Sequence, residues 1–95
     1  MSVYMIIDSK VKDRKKYQQY IDQVAPVVEK YSGYYHVRGE NIRYLGTWKP
    51  DRVIVIEFPT EDHFQRWLAS PEYKAIAYLR EEGAETQAIL VDGLA

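Results

Sequence analysis

Ninety-five residues, a formal net charge of -1, 46% hydrophobic content and no cysteine set the first bounds. The length allows one domain, residues 1–95, burying roughly 60–65% of its unfolded surface. Balanced charge supplies no global field for nucleic acid, and the missing cysteines exclude disulfides, thiolate nucleophiles and cysteine–zinc sites.

The opening "MSVYMIIDSK" has neither a basic leader nor a long apolar stretch. No window reaches the roughly 20 apolar residues of a membrane span. The expectation is a cytoplasmic protein without membrane or nucleic-acid partners. Val3 to Ile7 is a short run of β-formers and predicts a buried strand ending near Asp8. "SKVKDRKK" reads as a polar connection. Tyr17, Tyr20, Ile21, Val24, Val28 and Tyr31 then recur at helical spacing, with Asp13 as N-cap. Pro26 predicts a kink or break in this helix, and Gly33 a left-handed cap at its end.

Tyr34 to Arg38 and Ile42 to Leu45 predict one long strand bent at Gly39–Glu40–Asn41, since "TWKPD" already supplies the hairpin turn. Arg52 to Phe58, "RVIVIEF", is the strongest strand. Thr60 caps a short helix from Glu61. Ser70 and Pro71 restart it, and Gly83 closes it. Thr86 to Val91 is the last strand.

The order β-α-β-β-α-β predicts an α+β, ferredoxin-like fold, a four-stranded antiparallel sheet with two helices on one face. Helices on one face leave the other uncovered, yet "RVIVIEF" is apolar on both. Val53 and Val55 point one way, Ile54, Ile56 and Phe58 the other. An uncovered apolar sheet face predicts a homodimer, two sheets face to face in a dimeric α+β barrel.

"DRKKYQQYIDQVAPVVEKYSGYYHVRGE", then "LGTWKPDRVIVIEFPTEDHFQRWLASPEYKAI" and "AILVDG" carry a family likeness. Its specific parts are Arg38–Gly39, Glu57–Pro59, Trp67 to Tyr73 and Arg80. Nearly the whole chain resembles the domain-of-unknown-function family 1330. That resemblance implies the dimeric α+β barrel superfamily, whose other members include cofactor-free monooxygenases, isomerases and haem-processing enzymes. It implies an aliphatic residue at the position of His36, where this sequence departs.

Strand alternation places Tyr34, His36 and Arg38 on one face, with Tyr35, Val37 and Gly39 on the other. A His–Arg–Tyr face suits an anion or a polar aromatic ligand, and equally a solvated edge strand. Arg38 and Glu57 fall on strands expected to be buried, where charges are seldom left unpaired. They read as an ion pair fixing register, or as a charged pocket floor with Glu57 as acid/base and Arg38 or Arg80 holding a carboxylate. Asp8, at the predicted strand end, reads as a turn cap or a site residue. Trp48, Tyr35 and Tyr73 are candidates for an aromatic pocket wall, Tyr73 beside the seam at Ser70–Pro71. His36 and His63 lack metal-ligand spacing, and phosphate-binding and dinucleotide motifs are absent, so neither metal nor cofactor is expected. Lys12, Arg14, Lys15 or Lys16 should face Glu81, Glu82 or Glu85 across antiparallel helices. The functional expectation is binding of a small organic or aromatic metabolite between sheet and helices. The alternative is a cofactor-independent enzyme, monooxygenase- or isomerase-like, acting on a small organic acid.

Overall fold

In the computed structural model, which describes residues 1–94, strand β1 runs from Val3 to Val11, past the apolar run that ends at Ile7. Its polar half is held from both sides: Asp8 pairs with Val53 and Gln87, Ser9 with Arg52 and Thr86. A strand laddered on both edges has its backbone groups satisfied, which overrides the weak β-propensity of Asp8 and Ser9.

Helix α1 spans Arg14–Lys30, and the Asp13 carboxylate accepts from the Lys16 N–H at 3.1 Å. It runs as one helix through Pro26, where a kink or a break was expected. Pro26 and Asp22 are both exposed. Water can therefore satisfy the Asp22 carbonyl that proline leaves without its usual N–H. The left-handed residue after the helix is Ser32, at φ 69, not Gly33. Gly33 serves close packing instead, since a Cβ there would sit 2.5 Å from Val28 Cγ1 and 3.0 Å from Phe58 Cε1.

Strands β2 (Tyr34–Gly39) and β3 (Arg52–Phe58) pair with one irregularity, between Tyr35 and Val37. The bulge is thus at His36, not at Gly39–Asn41. Ile42 to Leu45, expected to extend the strand, lie outside any strand. Gly39 already pairs with Val53, and β3 has only Arg52 left to offer. The Tyr44 hydroxyl closes the loop by donating to the Pro50 carbonyl at 2.7 Å.

Helices α2 (Glu61–Ala69) and α3 (Pro71–Gly83) meet at buried Ser70. Its hydroxyl donates to the Trp67 carbonyl at 2.7 Å and accepts from the Tyr73 N–H at 3.1 Å, ending one helix and starting the next. A Cβ on Gly83 would stand 2.7 Å from the Tyr17 nitrogen, so glycine lets α3 close on α1. At that junction Lys16 and Glu82 form the ion pair expected between the two helix ends. Strand β4 is Ala84–Asp92, and the sheet order is β2-β3-β1-β4, antiparallel throughout. With the helices on one face, this is the ferredoxin-like α+β arrangement.

Strand register sorts the side chains into rows. Facing the helices are Tyr35–Ile56–Met5–Leu90, then Arg38–Ile54–Ile7–Ala88, then Arg52–Ser9–Thr86. On the outer face are Tyr34–Glu57–Tyr4–Val91, Val37–Val55–Ile6–Ile89 and Gly39–Val53–Asp8–Gln87. The core lies under the first inner row, where Phe58, Phe64, Trp67, Tyr73 and Val28 pack together.

Candidate functional site

The inner rows grade from apolar to cationic, and a cavity of about 100 Å³ opens along them beneath α1 and α3. Met5, Ile54, Ile56, Val24 and Trp67 form its apolar wall, with Tyr17, Tyr20, Tyr35 and Tyr73 around it. Three arginines line it: Arg38, Arg52 and Arg80. Among the described residues, no aspartate, glutamate or histidine does.

Each arginine arrives from a different element. Arg52 starts β3 on the parity of Ile54 and Ile56 and is buried at 8% exposure. Its guanidinium lies 5.7 Å from the Tyr17 ring, and its Nε is buried without a protein acceptor. Glu40, at 3.7 Å, is its only ion-pair partner among the described residues. Arg80 comes from the last turns of α3. It donates to the Tyr73 hydroxyl at 3.2 Å, and its Nε is likewise buried and unpartnered. Arg38 covers the Tyr35 ring at 4.7 Å.

The tyrosines form a connected set. Tyr20 donates to the Tyr73 hydroxyl at 3.4 Å, and Tyr17 to buried Ser9 Oγ at 3.0 Å. Burial pushes the Tyr20 phenol well above its ordinary value. Burial also raises Tyr35, to about 12, against the opposing pull of Arg38 and Arg52. Both stay protonated at neutral pH, and Tyr20 donates its proton to Tyr73.

The bulge at His36 decides which residues meet. Simple alternation puts Arg38 beside Tyr34 and His36. With one extra residue, Arg38 instead joins Tyr35 on the inner face. Glu57 stays on the outer face, so the expected meeting of Glu57 with Arg38 and Arg80 does not occur. The sheet separates them, because Glu57 has the parity of Val53 and Val55. Its partner is His36, whose Nε2 lies 2.8 Å from Glu57 Oε1. Arg38 is exposed rather than buried, and has no carboxylate partner among the described residues.

Asp8 and Trp48 also leave the expected pocket. Asp8 sits mid-strand on the outer face. It accepts from Trp48 Nε1 at 2.8 Å and Gln87 Nε2 at 3.4 Å, in a shallow hollow beside Ile6 and Ile89. His63 closes the start of α2, with Nδ1 2.7 Å from Thr60 Oγ1. Among the described residues no cluster of three metal-ligating side chains occurs, and no helix is long and apolar enough to cross a membrane.

Sequence reading missed Arg52, Tyr17, Tyr20 and Ser9 as cavity residues. Arg52 carried a usable signal: in "RVIVIEF" it shares its face with Ile54, Ile56 and Phe58. Ser9 carried none, since "SKVKDRKK" reads as a polar connection.

The His36–Glu57 pair gives a pH prediction. Accepting from His36 holds the Glu57 carboxyl below its ordinary 4.5, against the opposing push of desolvation. A group lowered in the folded state supports folding above its unfolded pKa. That support is lost as pH falls through the folded value. Glu57→Gln is expected to flatten the fall of Tm between about pH 5 and pH 3. An unchanged slope in pH-resolved melts would show that the pair contributes nothing.

The likenesses to known structures agree with this geometry. A protein of unknown function from Rhodopseudomonas palustris superposes at a TM-score of 0.85 with 18% identity, over 99% of this chain and 83% of that one. SnoaB, a cofactor-independent oxygenase from Streptomyces nogalater, matches at 0.72 with 16% identity, over 99% and 94%. A dimeric ferredoxin-like protein of unknown function from Jannaschia matches at 0.70 with 5% identity, over 98% and 100%. At these identities the likeness is one of fold. No curated protein matches the sequence. A family model described as "Domain of unknown function (DUF1330)" matches residues 2–94, and the chain belongs to that family.

Proposed function

We propose that this protein is a homodimer, joined through the outer sheet faces, in which each protomer binds a small organic molecule between sheet and helices. The observation that carries the binding reading is the cavity itself. It is graded from an apolar wall to arginines held against tyrosines, and its lining offers hydrogen-bond donors but no carboxylate or imidazole. Its volume lies well below the about 300 Å³ of drug-sized pockets, which restricts it to a small ligand.

The homodimer rests on the outer rows. Val37, Val55, Ile6 and Ile89 make an apolar band across all four strands, and Ile89 is 62% exposed. A second sheet laid on this band removes it from water. The likeness to a solved dimeric ferredoxin-like protein supports association as such.

A cofactor-independent enzyme is the second reading, favoured by the shared fold with SnoaB. It requires a proton acceptor at the substrate. The nearest candidate by sequence, Glu57, stands on the far side of the sheet, so binding without chemistry is the better-supported reading.

Thermal shift against one-ring acids, alcohols and amides tests the binding reading. A ligand at tenfold over its Kd adds about 1.4 kcal/mol, several degrees for a domain this size. Ala88→Trp, which plugs the cavity mouth from exposed Ala88, is expected to abolish the shift. Shifts retained in that variant would place binding elsewhere.

A further inference from the structure

Resting on the binding reading above, we infer that the cavity is built for an aromatic carboxylate. The ring lies on the apolar rows, and the acid group is taken by the guanidiniums of Arg52, Arg80 and Arg38. Three cations around a space of about 100 Å³ repel one another, and partial burial strengthens that repulsion. The protein's own counter-charges are loose. Glu40 stands 3.7 Å from Arg52 and Glu81 3.6 Å from Arg80, and both carboxylates are about two-thirds exposed. Arg38 has no such partner among the described residues. A ligand anion would supply the missing charge.

Two donor groups add a directional argument. Arg52 Nε and Arg80 Nε are buried and lack protein acceptors, an arrangement that costs stability unless an acceptor arrives. A guanidinium meets a carboxylate as a fork through two parallel N–H bonds, often using Nε. The Tyr73 hydroxyl, which accepts from Tyr20 and Arg80, keeps its own proton to donate. At the other end, Met5, Ile56, Val24 and Trp67 offer apolar surface. A ligand matching both ends has one aromatic ring and one acid group. Inorganic phosphate matches only the cationic end.

The test is a titration of nitrogen-15-labelled protein followed by NMR, reading the Nε–H signals of Arg52 and Arg80. Benzoate and phenylacetate are compared with benzamide, phenylacetamide and inorganic phosphate. Both acids are expected to move the two Nε–H signals and to bind at least about tenfold more tightly than their amides, a difference of roughly 1.4 kcal/mol. Arg80→Gln, at a half-exposed position, is expected to erase most of that preference with the fold intact. Arg52→Gln should do the same where it remains folded. Amides binding as tightly as acids would overturn the anion inference while leaving the binding reading standing. No binding by either series would overturn both. Phosphate moving the arginine signals more strongly than benzoate would overturn the assignment of an aromatic acid.

Discussion

Val55→Glu combined with Ile89→Glu is expected to leave the protein monomeric at micromolar concentration. Light scattering should then report the 11.2 kDa chain mass for the variant and twice that mass for the wild type. Val55 and Ile89 flank Ile6 in the central outer row, each directly opposite it across a strand pair. Sheets stacked face to face stand about 10 Å apart and exclude water between them. Two-fold symmetry would place four new carboxylates in that layer. An uncompensated buried charge costs about 3–5 kcal/mol, so four outweigh the apolar area they replace. In the protomer both positions are at least partly exposed and lie on the far side of the sheet from the core, so circular dichroism should be unchanged. A wild type that already runs as a monomer removes the homodimer. A variant that stays dimeric moves the interface to another surface.

Trp67→Ala is expected to cost about 3–5 kcal/mol. Domains of this kind have only about 5–15 kcal/mol of total stability. Trp67 is 1% exposed, and its ring centroid lies 4.3 Å from Tyr73, 5.6 Å from Phe58 and 6.0 Å from Phe64. Truncation removes those ring contacts and joins the void to the existing cavity, which Trp67 also lines. The surrounding rings come from β3, α2 and α3, and they cannot collapse together without moving those elements. Urea denaturation gives the measurement, with Trp67→Phe as control. Its Nε1 has no protein acceptor, so the phenylalanine loses area but no hydrogen bond within the chain. A Trp67→Ala loss below about 1 kcal/mol would mean that this cluster is not the centre of the core.

The two experiments address opposite faces of one sheet, and that division organises the molecule. The helix-side face carries the core at one end and the arginine-lined cavity at the other. The opposite face carries the apolar band, with the His36–Glu57 and Asp8–Trp48 pairs on either side of it. The proposed binding and association would therefore use alternate residues of the same strands. A substitution at Val55 and one at Ile54 are neighbours in sequence, yet should report on different functions.

Much of this was fixed by local sequence physics. Periodicity in "RVIVIEF" set β3 and its two faces, since a strand side chain has only two directions to point. Asp13, Thr60 and Ser70 set three helix starts, because a cap acts over three residues and needs no distant partner. The facing of Lys16 and Glu82 followed from helix order alone. Tertiary structure decided what depended on pairing with distant strands. β1 extends to Val11 because β4 pairs with it along its whole length and β3 as far as Ser9, and Ile42 to Leu45 stay out of the sheet because β3 offers them no partner. Above all, the extra residue at His36 shifts parity within β2. No local propensity marks that bulge, because it arises where β2 registers against β3. That single residue moves Arg38 onto the cavity face with Tyr35 and leaves His36 with Glu57 on the other.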